Sequence, residues 1–238
     1  MKAVPKVWGP ALKAILTFGA ITVLTMASFG VAAWALDLGW NVVVPGLAVS
    51  AALAYTVSLL ALFRLARSEG VTALNLGLVA PGRKMWHLLW QIPVVVFSAA
   101  LVQGGCLAVF NFITGMKADT TNDPAAYDDW ASSESAPQAA ILCLLLFYTV
   151  LVPIVEELWF RGLVLHYFRR RYRVLAAVAW VGLLFALIHF AFPVFPFQFT
   201  IGVFFGALRL WHKNLWAPII AHGVNNLIAS SVIVGALF

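Results

Sequence analysis

Ionisable side chains are scarce inside the apolar stretches of this sequence, and those present fall at three places. Glu156, Glu157 and Arg161 stand together in Val155-Glu156-Glu157-Leu158-Trp159-Phe160-Arg161-Gly162, His189 follows Phe185 by four residues, and His222 precedes Asn226 by four. A charge at membrane depth is costly unless it is paired or faces a polar cavity, so each of these residues is a functional candidate. On a helix, residues four apart share a face, whereas residues five apart lie about 140° away from one another. Glu157 is therefore expected to pair with Arg161 as a neutralised couple. Glu156 then points elsewhere with no countercharge on its own helix, a condition that suits general acid and base work. The Phe185 ring can hold the His189 imidazole, and His222 with Asn226 presents two neutral donors for a developing oxyanion. Taken singly, each has a plainer reading: a structural ion pair for Glu157 and Arg161, a satisfied polar residue for His189, and interhelical bonding for His222, Asn226 and the neighbouring Asn225.

The elements that must carry these residues are membrane helices. Of 238 residues, 63% are hydrophobic and 10% charged, against about 45 to 50% and about 25% in a water-soluble domain. The same figures exclude a disordered chain, a collagen-like repeat and a disulfide-rich secreted module. The sequence predicts an all-α, polytopic bundle of about seven spans, within six to eight: Ala11 to Leu36, Trp40 to Phe63, Trp86 to Met116, Ala139 to His166, Val174 to Phe192, Phe195 to Leu210 and Trp216 to Leu237. The sixth is short enough to be re-entrant. Cys106 and Cys143 lie within apolar stretches and read as small hydrophobes. His87, His166 and His212 fall near span boundaries, where a wet structural histidine is the default.

The net charge of +6 is placed as a topology signal, because Lys and Arg cluster at the ends of apolar runs. Lys2, Lys6 and Lys13, then Arg64, Arg67, Arg83 and Lys84, then Arg169, Arg170, Arg171 and Arg173, then Arg209 and Lys213 all fall on one side of a seven-span chain. The other side has Asp37 and a segment, Lys117 to Gln138, with five acids against one lysine. The N-terminus is expected in the cytoplasm of a multi-pass plasma-membrane protein, with the bilayer as partner and no nucleic acid. The first apolar run is too long for a cleaved signal, despite Ala33-Trp34-Ala35. Residues 1–85 are expected to form a two-span hairpin and a cytoplasmic loop, the latter lying partly along the membrane through Leu65, Leu74, Leu76, Leu78 and Val79; residues 86–238 form the main embedded domain.

Counting at about 1.5 Å per residue from the basic loops puts Glu156, His189 and His222 at depths of about 20, 24 and 14 Å, close enough to meet in one pocket. Pro193 and Pro196 must interrupt the chain beside it, as happens where backbone is packed in protein or lines a cavity. At this point the residues resemble a known family. Glu156-Glu157-x-x-x-Arg161, Phe185-x-x-x-His189 and His222-x-x-x-Asn226 are similar to the three motifs of the CAAX protease and bacteriocin-processing (CPBP, or Abi) family of intramembrane endopeptidases. The likeness covers 139–238, the expected catalytic core.

The resemblance implies that Glu156 and His189 activate a water, that His222 and Asn226 stabilise the tetrahedral intermediate, and that Glu157, Arg161 and Phe185 support them. The substrate would be a membrane-associated peptide or protein. An older reading of the family as metalloproteases would make Glu156, His189 and His222 zinc ligands; the chain has no His-Glu-x-x-His, and a glutamate-type mechanism with no cofactor is the expectation. Two other classes stay open on the residues themselves: a transporter or channel with Glu156, His189 and His222 as a proton or ion relay, and a non-catalytic scaffold.

Overall fold

The computed structural model describes residues 8–38, 40–115, 138–189 and 192–231. Among these, all regular structure is helical. The expected acidic segment after Lys117, the N-terminal Lys2 and Lys6, and the ends of the third and seventh expected spans at Met116 and Leu237 lie outside the described residues.

Helix α1 (Trp8–Ala35) turns back through Asp37 into α2 (Trp40–Ser68), giving the expected hairpin. Asp37 adopts the left-handed conformation, φ 48°, which a short side chain able to bond locally tolerates. The stretch after α2, expected to lie along the membrane, divides in two. One helical turn, α3 (Ala73–Leu76), is capped by Thr72, whose hydroxyl accepts the Asn75 N–H at 3.3 Å while the Asn75 side chain accepts the Thr72 N–H at 3.0 Å. Leu76 is buried and Leu74 exposed. A 3₁₀ segment, Arg83–His87, then leads into α4 (Leu88–Thr114).

The remaining helices form the core. Helix α5 covers 138–169 as a succession of α and π turns. It is followed by α6 (Val174–Ile188), a short 3₁₀ turn at Phe192–Val194, α7 (Phe195–His212) and α8 (Trp216–Ala229). Pro193 and Pro196 fall at the break between α6 and α7, as expected from their missing N–H groups. Gln103 of α4 fastens this break: its amide donates to the Pro193 carbonyl at 2.7 Å and its oxygen accepts the Phe197 N–H at 3.1 Å. Helices α6 and α7 touch backbone to backbone at Gly182 and Gly202, where a Cβ on Gly202 would stand 2.9 Å from the Gly182 Cα.

Each expected span has its helix, but among the described residues length and composition qualify four stretches to cross a bilayer: Gly9–Ala35, Pro45–Ser68, Arg83–Thr114 and Leu142–Arg169. Val174–Ile188 is apolar and shorter. Large apolar side chains face outwards, among them Leu24 and Trp34 on α1 and Phe97 and Phe112 on α4, a surface suited to lipid rather than water. Both cysteines are free. His87 is exposed and accepts from Trp90 Nε1. His212 departs from the wet boundary role expected of it: it is buried, and its Nε2–H donates to Gln91 Oε1 of α4 at 2.8 Å.

Candidate active site

Helix α5 is the pillar of the site, with every residue from 155 to 165 buried. Two of its turns, Phe147–Leu151 and Leu158–Val164, are π-helical, a widening that recurs where helices present functional groups. In the first, Val152 N–H bonds the Phe147 carbonyl. The next donor in that register would be Pro153, which has no N–H to give. The Tyr148 carbonyl is instead met from α8 by Asn226 Nδ2 at 3.0 Å. Helix α8 comes this close because of Gly223, where a Cβ would stand 2.7 Å from the Thr149 carbonyl oxygen.

The expected couple is present. Arg161 NH1 donates to Glu157 Oε1 at 2.7 Å, both side chains fully buried. Its other nitrogen, NH2, donates to the Gly202 carbonyl at 3.0 Å, and its Cζ lies 4.4 Å from the Phe185 ring centroid and 5.3 Å from that of Phe205. Three kinds of contact thus hold one buried cation between α5, α6 and α7.

Glu157 has a second partner. His222 Nδ1–H donates to the same Oε1 at 3.0 Å, while His222 Nε2 faces Glu156 Oε2 at 3.9 Å. The two nitrogens of one imidazole therefore join the two carboxylates that helical spacing had separated. Phe205 stacks on this ring at 5.1 Å and Phe185 meets it edge-on at 5.7 Å. Glu156 is held from the far side by α2, where the Tyr55 hydroxyl donates to Oε1 at 2.9 Å. Its other oxygen, Oε2, is buried with no hydrogen-bond partner.

His189 is set by its own helix. Its Nδ1 lies 2.6 Å from the Phe185 carbonyl, and because a carbonyl only accepts, the proton is on Nδ1 and Nε2 keeps a lone pair. The Phe185 ring packs against the imidazole at 4.6 Å, as its spacing predicted. His189, Glu156 and Tyr55 line one cavity of about 490 Å³, walled on the opposite side by α1 residues such as Phe18, Gly19 and Thr22.

The structure thus gathers Glu156, Glu157, Arg161, Phe185, His189 and His222 into one contact network. Asn226 lies at its edge, donating to Tyr148 and accepting from Asn225 Nδ2 at 3.3 Å. Among the described residues, no three His, Cys, Asp or Glu side chains converge as a metal-holding set. Tyr55, Phe205, Gln103 and the bond from His222 to Glu157 did not emerge from the sequence. The available signal for Tyr55 and Gln103 was a polar group within an apolar span, which must find a partner if buried.

Long apolar helices around a buried acid and histidine network define a helical membrane protein with a polar centre. Residues 138–228 match the family model of Rce1-like type II CAAX prenyl endopeptidases, the CAAX protease family that the three motifs resemble. The matched segment runs from α5 into α8 and contains all three motifs. No curated protein and no solved structure matches the chain. The family supports an intramembrane endopeptidase.

Proposed function

We propose that this protein hydrolyses a peptide bond of a membrane-associated protein or peptide in the cavity between α1, α2, α5 and α6. The water donates one hydrogen to Glu156 Oε2 and the other to the His189 Nε2 lone pair, so that two acceptors orient its oxygen towards the scissile carbonyl carbon. As the C–O bond forms, Glu156 takes the proton. His222 and Asn226 stabilise the developing oxyanion. Glu156 then returns its proton to the departing nitrogen as the C–N bond breaks, leaving a carboxylic acid and an amine. Glu157, anchored by Arg161, fixes the imidazole of His222, and Phe185 fixes that of His189.

The observation that carries this reading is that Glu156, with a carboxylate oxygen left without a hydrogen-bond partner, lines the same cavity as His189. We take the mechanism as glutamate-type, because the chain has no His-Glu-x-x-His pattern. The seven long helices are read as spans of a plasma-membrane protein with a cytoplasmic N-terminus, on the strength of the basic clusters that end α2, α5 and α7. The mostly apolar cavity wall suits a membrane-anchored segment of substrate.

The test is cleavage of membrane-peptide substrates by the purified protein in liposomes, comparing wild type, Glu156→Gln and His189→Ala, with and without a chelator. Both substitutions are expected to lower turnover by about 10²- to 10⁴-fold while the chelator has no effect. Loss of activity with the chelator would make Glu156, His189 and His222 metal ligands instead. Proton or ion flux dependent on Glu156, with no cleavage, would replace the protease by a transporter.

A further inference from the structure

The matched family segment begins at residue 138, yet one of the groups that hold Glu156 comes from far upstream. We propose that Tyr55, on α2, is a positioning residue of the hydrolysis: its hydroxyl holds Glu156 Oε1 so that Oε2 alone is presented to the water. The inference rests on the reading of Glu156 as the proton acceptor.

Three features carry it. The bond is 2.9 Å long and buried, joining residues 101 positions apart in the chain. The phenol is aimed by its surroundings, because the Tyr55 ring meets Phe18 of α1 edge-on at 6.1 Å and Phe147 of α5 edge-on at 5.1 Å. And the hydroxyl takes only one of the two carboxylate oxygens, leaving Oε2 buried without a hydrogen-bond partner, 3.9 Å from His222 Nε2, while Glu156 itself lines the cavity that Tyr55 and His189 share. A carboxylate with one oxygen fixed cannot turn about its terminal bond, so its free oxygen keeps one direction. The other titratable or charged groups around Glu156 are His189 on α6, His222 on α8 and, on its own helix, Tyr148, Glu157 and Arg161.

Tyr55→Phe removes one oxygen and keeps the ring contacts with Phe18 and Phe147. In the full-length protein in liposomes, the acidic limb of the kcat/KM profile is expected to move up by about one to two pH units, with a loss of about 10- to 100-fold on that limb and recovery at higher pH. Placing 3-fluorotyrosine, a stronger donor of the same shape, at position 55 should move the limb the other way. A merely structural tyrosine would lower activity equally at every pH, and that result, or an unchanged profile, overturns the proposal. Infrared difference spectra between wild type and Glu156→Gln isolate the Glu156 carboxyl band and need no turnover. If wild type cleaves nothing but Tyr55→Phe still moves the titration of this band upwards, the hold on Glu156 stands and the protease reading falls. If the band titrates as in wild type, the proposal falls whatever the cleavage assay gives.

Discussion

Replacing Arg161 with methionine removes the permanent cation that pairs with Glu157 and keeps most of the volume of the side chain. Arg161 is 1% exposed, so neither water nor lipid headgroups can compensate for the carboxylate left behind. Breaking a buried pair from one side costs about 3–5 kcal/mol. The guanidinium also sits 4.4 Å from the Phe185 centroid, a contact worth up to about 2 kcal/mol when desolvated, but both effects belong to one side chain and do not add. The expected loss for Arg161→Met is therefore about 3–5 kcal/mol. Adding Glu157→Gln removes the stranded charge while its amide oxygen can still accept from His222 Nδ1. The double variant should lie within about 1–2 kcal/mol of wild type, well short of the sum of the two single losses. Reversible unfolding in mixed micelles titrated with a denaturing detergent measures all four proteins of the cycle. A single-variant cost below about 1 kcal/mol, or a double variant as unstable as the sum of its parts, would refute the claim that a neutral buried couple holds α5 in place.

The packing makes two further predictions. Asn226→Ala deprives the Tyr148 carbonyl of its donor across α5 and α8 and should cost about 1–3 kcal/mol; adding Pro153→Ala, which restores a backbone N–H to that turn, should recover part of the loss, and the same unfolding titration would reveal if it does not. Gly202→Ala drives a methyl into the Gly182 Cα, 2.9 Å from the new Cβ, and should destabilise the protein by about 1–3 kcal/mol while lowering turnover, because the Gly202 carbonyl that meets Arg161 moves with α7. Unchanged stability and rate in that variant would mean the crossing has slack that its geometry denies.

What the sequence made legible is what the cost of burying charge makes legible. Glu156, Glu157, Arg161, His189 and His222 stood out because each is expensive in an apolar run, and the i,i+4 relation was enough to find the couple of Glu157 with Arg161. Helix starts at Trp40, Val174, Phe195 and Trp216 agree with the expected spans, since Gly39, Arg173, the prolines beside Phe195 and the polar turn at Lys213 and Asn214 interrupt the apolar pattern. Contacts between helices were not legible. The bonds from Tyr55 to Glu156 and from His222 to Glu157 join residues 101 and 65 positions apart, and no periodicity on one helix specifies its neighbour. Ideal helical spacing also set the two carboxylates on different tasks, whereas an imidazole with a nitrogen on each side reaches both. Span number was harder still: composition marked seven apolar runs, and among the described residues four have the length and hydropathy to cross unaided.

The order in which these partners occur along the chain bears on how the protein reaches its membrane. When α5 is synthesised, the two stretches that could stop it from entering lipid already have company: Glu157 finds Arg161 four residues on in the same helix, and Glu156 finds Tyr55 in a helix made earlier. Nothing needed to shield the carboxylates during biogenesis has to come from downstream. His222 does come from downstream, on α8, after all of α5, α6 and α7. The ribosome therefore delivers α5 with its ion pair and its bond to Tyr55 first, and the imidazole that links its two acids last.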